Sequence, residues 1–104
     1  AGYPSAGVVV PILVSAISNI LFGLGWMGAT YFLCFPVYLG LFGLCIWEFM
    51  IYANARETPP NTLHAKCLPL GVTEICAFFL SGNVPTLICG VILLINRKYL
   101  LDHE

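Results

Sequence analysis

Between Gly7 and Ala53 the chain carries a single charged side chain, Glu48. One helix of that length would run about 70 Å at ~1.5 Å per residue, more than twice the ~30 Å hydrocarbon core of a bilayer. The stretch therefore folds back once. The Gly23–Thr30 segment, with Gly23, Gly25 and Gly28 around Trp26, has the composition of a turn. The reading places a first helix at 7–25 and a second at 29–53.

The segment Asn54–Thr62 is the polar, proline-rich part of the chain, and Arg56, Glu57 and the Pro59-Pro60 pair end the second helix. A third helix is predicted over 63–80, with Asn61 or Thr62 as its cap. Ser81-Gly82-Asn83-Val84-Pro85 reads as a second tight turn, and Pro85 suits the first turn of a fourth helix at 85–101. The apolar runs of helices three and four are short, so a re-entrant hairpin competes with full spanning. The fold expected is an all-α integral membrane protein of four transmembrane helices, forming two hairpins in one domain over residues 1–104.

Composition agrees with lipid as the solvent. The 104 residues are 60% hydrophobic and 9% charged, against about 25% charged in an ordinary globular chain. A net charge of −1 gives no basic surface for nucleic acid. The first residues carry no positive n-region, so no secretory signal is expected there. Five cysteines without a CxxC pair suggest neither a disulfide framework nor a thiolate metal site.

With four spans, Arg56, Lys66, Arg97 and Lys98 fall on one side with both termini, and the opposite turns carry no charge. The positive-inside tendency makes that side cytoplasmic. Trp26 and Tyr31 mark the far boundary, and Trp47, Tyr52 and Tyr99 the near one, as aromatic belts do. Glu48, Lys66, Arg97 and Lys98 are assigned to the interface, with Glu48 either solvated or paired to Lys66 or Arg97.

A loose repeat relates the halves: Pro11–Ile17 aligns with Pro69–Ile75, and Pro36–Gly40 with Pro85–Gly90. Each half is then a hairpin with a proline early in each helix. The repeat is parallel, unlike the inverted repeats usual in alternating-access carriers, and assigns no function.

Glu74 falls along helix three, where a charged carboxylate costs roughly 2.5 kcal/mol or more at a bilayer centre. It is either a proton or cation site, or a protonated acid hydrogen-bonded to Ser15, Ser18 or Asn19. The second role is the expectation, because a proton path needs several relay groups. Ser15, Asn19 and Gly23 share a face of helix one, and Pro36, Gly40, Gly43 and Trp47 form a stripe on helix two. Both read as packing surfaces, within the bundle or against another subunit. His64 and His103 lie at or beyond the near boundary, so no haem or chlorin is expected inside the bundle; His64 is a weak interfacial ligand candidate. No catalytic or phosphate-binding motif occurs, and an enzyme is not expected.

The leading functional expectation is a non-catalytic accessory subunit of a larger, energy-converting membrane complex, respiratory or photosynthetic. Its contacts would be other transmembrane subunits and lipids, with pigments or quinone met only within the host, and no intrinsic cofactor or metal. A small oligomeric transporter or channel using Glu74 is the alternative, followed by a membrane-organising tetraspan protein.

Overall fold

The computed structural model describes residues 6–103, with side chains through Leu100. The N-terminal reading of residues 1–5 and the His103 side chain lie outside what it describes. Among the described residues every regular element is helical: α1 (Ala6–Ala29), α2 (Phe35–Asn54), α3 (Pro60–Ser81) and α4 (Val84–Asn96), followed by a 3₁₀ segment over Arg97–His103. Three of these, α1, α2 and α3, are long and apolar enough to cross a membrane. The helices run antiparallel in an elongated body of 48 × 21 × 18 Å.

The first turn is not where glycine composition puts it. α1 continues through Gly25 and Gly28, both facing open space, and stops only at Ala29. Isolated glycines are tolerated in a helix whose backbone hydrogen bonds are made, at a cost of about 1 kcal/mol each. The chain reverses over residues 30–34 instead. There the Phe32 amide donates to Met27 C=O at 3.0 Å, and the Thr30 hydroxyl donates to Trp26 C=O at 2.6 Å. Tyr31 and Phe32 adopt left-handed backbone angles, φ 52° and 68°, a region that bulky residues avoid. Tyr38 Oη pins this corner by donating to Phe32 C=O at 3.1 Å.

Prolines explain one contact that ties the chain ends together. Pro11 lies inside α1 and has no N–H, so the carbonyl four residues back, that of Gly7, loses its helical partner. Asn96 Nδ2, at the end of α4, donates to that carbonyl at 2.9 Å. α3 starts at Pro60, earlier than expected, with Pro59 at the cap position and no side-chain cap from Asn61 or Thr62. It ends on Gly82 at φ 73°, whose N–H returns to Phe78 C=O, a left-handed C-cap that glycine adopts without strain.

α4 is the largest departure from the sequence reading. It ends at Asn96, and the residues expected to extend it to 101 tighten into 3₁₀. At this junction Arg97 donates to His64 C=O at 3.1 Å, while His64 Nδ1 lies 3.0 Å from Arg97 C=O. At ~1.5 Å per residue, α4's 13 residues span about 20 Å. The turn that opens it, Ser81–Asn83, is level with Ser18 and Asn19 of α1, because Ser18 Oγ donates to Asn83 Oδ1 at 2.7 Å. Residues 20–29 of α1, about 15 Å of helix, continue past that turn.

Apolar packing holds the rest. Val8, Ile12, Leu41, Leu44, Ile51, Leu63, Cys67, Leu70 and Leu93 form a buried core, with Trp47 partly buried against it. α3 and α4 approach most closely at two glycines. A Cβ on Gly90 would sit 2.9 Å from Gly71 C=O, and one on Gly71 would meet Leu94 at 2.6 Å. Large side chains such as Ile17, Leu21, Ile46, Phe79 and Ile88 face outward all around the bundle.

Candidate functional site

Polar side chains of all four helices converge inside the bundle. Ser15, Ser18 and Asn19 from α1, Glu48 from α2, Glu74 from α3 and Thr86 from α4 are buried, as is Asn83 just before α4. Asn19, Glu48, Glu74, Asn83 and Thr86 are each 0% exposed, so any water or ion among them is enclosed by protein.

The hydrogen bonds form a chain with a fixed sense. Asn83 caps α4, its Oδ1 accepting from the Thr86 amide at 3.3 Å and from the Ser18 hydroxyl at 2.7 Å. Its Nδ2 donates to Asn19 Oδ1 at 2.8 Å, and Thr86 Oγ1 donates to the same oxygen at 2.9 Å. With its oxygen occupied, Asn19 turns its amide nitrogen to Glu48 and donates to Oε1. Ser15 Oγ and Thr86 Oγ1 are 3.1 Å apart and close the group on one side.

The two carboxyls face each other, with Ser15 beside both. Glu48 Oε2 and both oxygens of Glu74 nevertheless make no hydrogen bond. Three enclosed acid oxygens without partners are unusual, since buried polar groups are nearly always satisfied. Among the described side chains no basic group neutralises them: the Arg97 guanidinium is turned to His64, and Arg56, Lys66 and Lys98 are exposed. Among the described residues no group of three or more His, Cys, Asp or Glu side chains is placed to hold a metal ion.

No family model matches the chain, and no curated protein or solved structure is significantly similar to it.

Several sequence expectations change here. Glu48, expected at the interface with Lys66 or Arg97, is fully buried and bonded to Asn19. Its face of α2 turns inward, and Arg97 is already engaged by His64. Glu74 makes no bond to Ser15, Ser18 or Asn19; the acid that Asn19 reaches is Glu48. Gly23 packs under the ring of Phe42. Gly40 and Gly43 do not pack within the bundle, and both look onto open space. His64 is half-buried against Arg97. Trp26 donates through Nε1 to Ser81 C=O at 3.0 Å.

Asn83 and Thr86 were missed as site residues. A signal was present for Asn83 alone, because Asn just ahead of a proline-led helix start is a preferred N-cap. What the sequence lacks is the depth of that cap. It becomes internal only because α4 is short.

Beyond the Ser81–Asn83 turn, the projecting part of α1 leaves an apolar recess of about 440 Å³, lined by Leu21, Phe22, Trp26, Thr30 and Ser81 among others. A smaller hollow of about 270 Å³ lies at the opposite end, between Val9, Tyr52 and Arg56.

Proposed function

We propose that this chain is an integral membrane protein that binds and passes small cations or protons through the Glu48–Glu74 centre. Three helices of spanning length and the outward-facing apolar side chains support the membrane setting. Bonds between α1 and α4 and between α3 and the 3₁₀ segment gather Gly7, His64 and Arg97 at one end. Arg56 lines a hollow with Val9 at that same end. This arrangement supports a topology with both termini and the 55–59 loop on the cytoplasmic side. In it, α1, α2 and α3 are the helices of spanning length, and α4, with 13 residues, is the short arm of the second hairpin.

The observation that carries the proposal is the pair of enclosed carboxyls with three unpartnered oxygens and no basic counter-ion. Acids buried in a membrane helix bundle are expensive and mark ion or proton pathways. A merely structural role is served more cheaply by apolar side chains. The acid read as isolated from the sequence has Glu48 and Ser15 beside it and, through Glu48, the hydrogen-bonded Asn19 and Thr86, groups from which a relay can be built. A short helix beginning inside the bundle also resembles the interrupted helices that build midplane sites in transporters.

Reconstitution into liposomes with an imposed ion gradient tests this. Flux carried by the wild type should fall at least about tenfold in Glu74→Gln, which keeps shape and removes the ionisable group. Equal flux in both proteins, or none in either, overturns the proposal.

A second reading, an accessory subunit of a larger membrane complex, is favoured by the apolar recess beside Trp26 and by the outward stripe of Gly40 and Gly43. Small residues and grooves of this kind receive neighbouring helices. Gentle extraction followed by native mass spectrometry would give a fixed partner stoichiometry if it holds, and a lone monomer if it does not.

A further inference from the structure

Resting on the ion-handling reading, we infer that the exchanged species is the proton, carried on Glu74, while Glu48 is held in place as its fixed neighbour. The donor set favours a proton over a caged cation, since among the described residues no group of three or more His, Cys, Asp or Glu side chains is placed to hold a metal ion. Hard cations take about six or more oxygen ligands. The centre offers Glu48 Oε2, the two Glu74 oxygens and the Ser15 hydroxyl. Asn19 Oδ1 already accepts from Asn83 and Thr86, and Asn83 Oδ1 from Ser18 and the Thr86 amide, while Glu48 Oε1 accepts from Asn19 and keeps a second lone pair. Few side-chain oxygens here are free of a hydrogen bond, which suits a proton, needing one oxygen, better than a hard cation, needing several. A proton on Glu74 supplies the hydrogen that the orphaned oxygens lack, directed at Glu48 Oε2 or Ser15 Oγ.

The two acids are not equivalent. Glu48 is braced by a line of hydrogen bonds that runs Ser18 to Asn83 to Asn19, each member with its orientation fixed by the next. Glu74 has neither oxygen held. Its Cβ lies against Gly90, where an added Cβ would come within 3.1 Å of it, so α4 leaves no side chain across it there. The titratable groups facing Glu74 are Glu48 from α2 and Cys89 from α4, with Cys67 on its own helix and Arg97 beyond it; Cys45 adjoins Glu48. α1 contributes only the neutral Ser15 and Asn19. In each exchange Glu74 takes one proton from water and returns one to water, its carboxylate and carboxyl forms interconverting with nothing oxidised or reduced.

Labelling of the full-length chain in mild detergent with a hydrophobic carbodiimide tests this without reference to flux. The reagent attacks protonated carboxyls in apolar surroundings and leaves a stable N-acylurea that peptide mass spectrometry locates. Glu74 should be the labelled acid. Its rate should fall about tenfold per pH unit above the midpoint, the slope of a one-proton titration. Sodium, potassium or magnesium chloride in place of choline chloride should leave the rate unchanged. Asn19→Ala, which removes the brace, should raise labelling of Glu48 while Glu74 still reacts.

Protection by any of the three cations at fixed pH overturns the inference, as does labelling of Glu48 equal to that of Glu74 in the wild type. Absence of label on either acid, in protein with unchanged helical circular dichroism, overturns it too. The two readings fail separately. A chain that labels as described but carries no flux keeps the proton on Glu74 and loses transport, whereas cation protection with intact flux keeps transport and loses the proton.

Discussion

The two hairpins share a plan and differ in length. Each has a proline inside its first helix, Pro11 and Pro69, and another in the first turn of its second, Pro36 and Pro85. The first hairpin pairs helices of 24 and 20 residues, the second helices of 22 and 13. Its tip accordingly meets a different environment. In the first hairpin Tyr31, Phe32 and Leu33 stand 83%, 64% and 78% exposed, an apolar corner suited to a boundary. In the second, Ser81 and Asn83 are buried against α1. Shortening one arm brings a polar turn, with its cap and free amides, into the interior of its longer neighbour. The acidic centre is a consequence of that mismatch, since Asn83 and Thr86 orient Asn19, and Asn19 orients Glu48.

The sharpest way to break this comparison is to remove the residue on which the hairpins meet. Asn19→Ala strands Glu48 Oε1 and Asn83 Nδ2 at once, while Thr86 Oγ1 keeps only its bond with Ser15. Each stranded buried group costs about 1–3 kcal/mol in a protein interior, while hydrogen bonds between membrane helices average about 0.6 kcal/mol. Weighing the two, a loss of about 2–4 kcal/mol is expected in reversible detergent unfolding. Ser18→Ala, which removes one bond of the same line, should cost no more than about 1 kcal/mol. Equal losses in the two variants would mean that Asn19 is not the junction.

Next in size is the seam inside the second hairpin. At Gly90 an added methyl would meet backbone, Gly71 C=O at 2.9 Å, and the Cβ of Glu74 at 3.1 Å, neither of which can swing aside. Gly90→Ala should therefore cost about 1–3 kcal/mol, the range for overpacking. At Gly71 the obstacle is the Leu94 side chain, which can change rotamer, so Gly71→Ala should cost less than Gly90→Ala. Thermal unfolding of the two variants in one detergent checks the order. The reverse order would place the tight contact on the wrong glycine.

What could be read from the sequence follows the same divide. The first hairpin was legible as two long apolar helices because hydropathy and length act locally. Its turn was not, because three glycines near Trp26 imitate a loop while the helix continues through them to Ala29. Helix four was overestimated because Tyr99, Leu100 and Leu101 continue the apolar pattern, whereas the Arg97–His64 bonds that end it join residues far apart in the chain. Glu74 stood out as a lone acid in an apolar run. Glu48 reads as interfacial because it lies within about two turns of the near end of its helix, where charges snorkel, whereas the inward turn of its face onto Asn19 is set by tertiary packing that no local pattern records. Tertiary pairing, not composition, made the site.

The smallest expected effect lies on the outer face of the first hairpin, and it sharpens the contrast between glycines. Gly40 and Gly43 are exposed on α2 with nothing within 4 Å of an added Cβ, so alanine there meets no steric objection inside the chain. Replacing glycine by alanine in a helix interior gains up to about 1 kcal/mol per site from the backbone alone. Gly40→Ala and Gly43→Ala should thus leave the isolated protein as stable or slightly more so, unlike Gly90→Ala. Unfolding measured at low protein concentration, where any association is lost, reads this term by itself. A clear destabilisation there would show that these glycines pack inside the fold, and the outward orientation of this face of α2 would be wrong. A gain in the isolated chain together with weaker association at high concentration would instead locate a partner's helix on the stripe, because a methyl that costs nothing in open space costs most where two backbones touch.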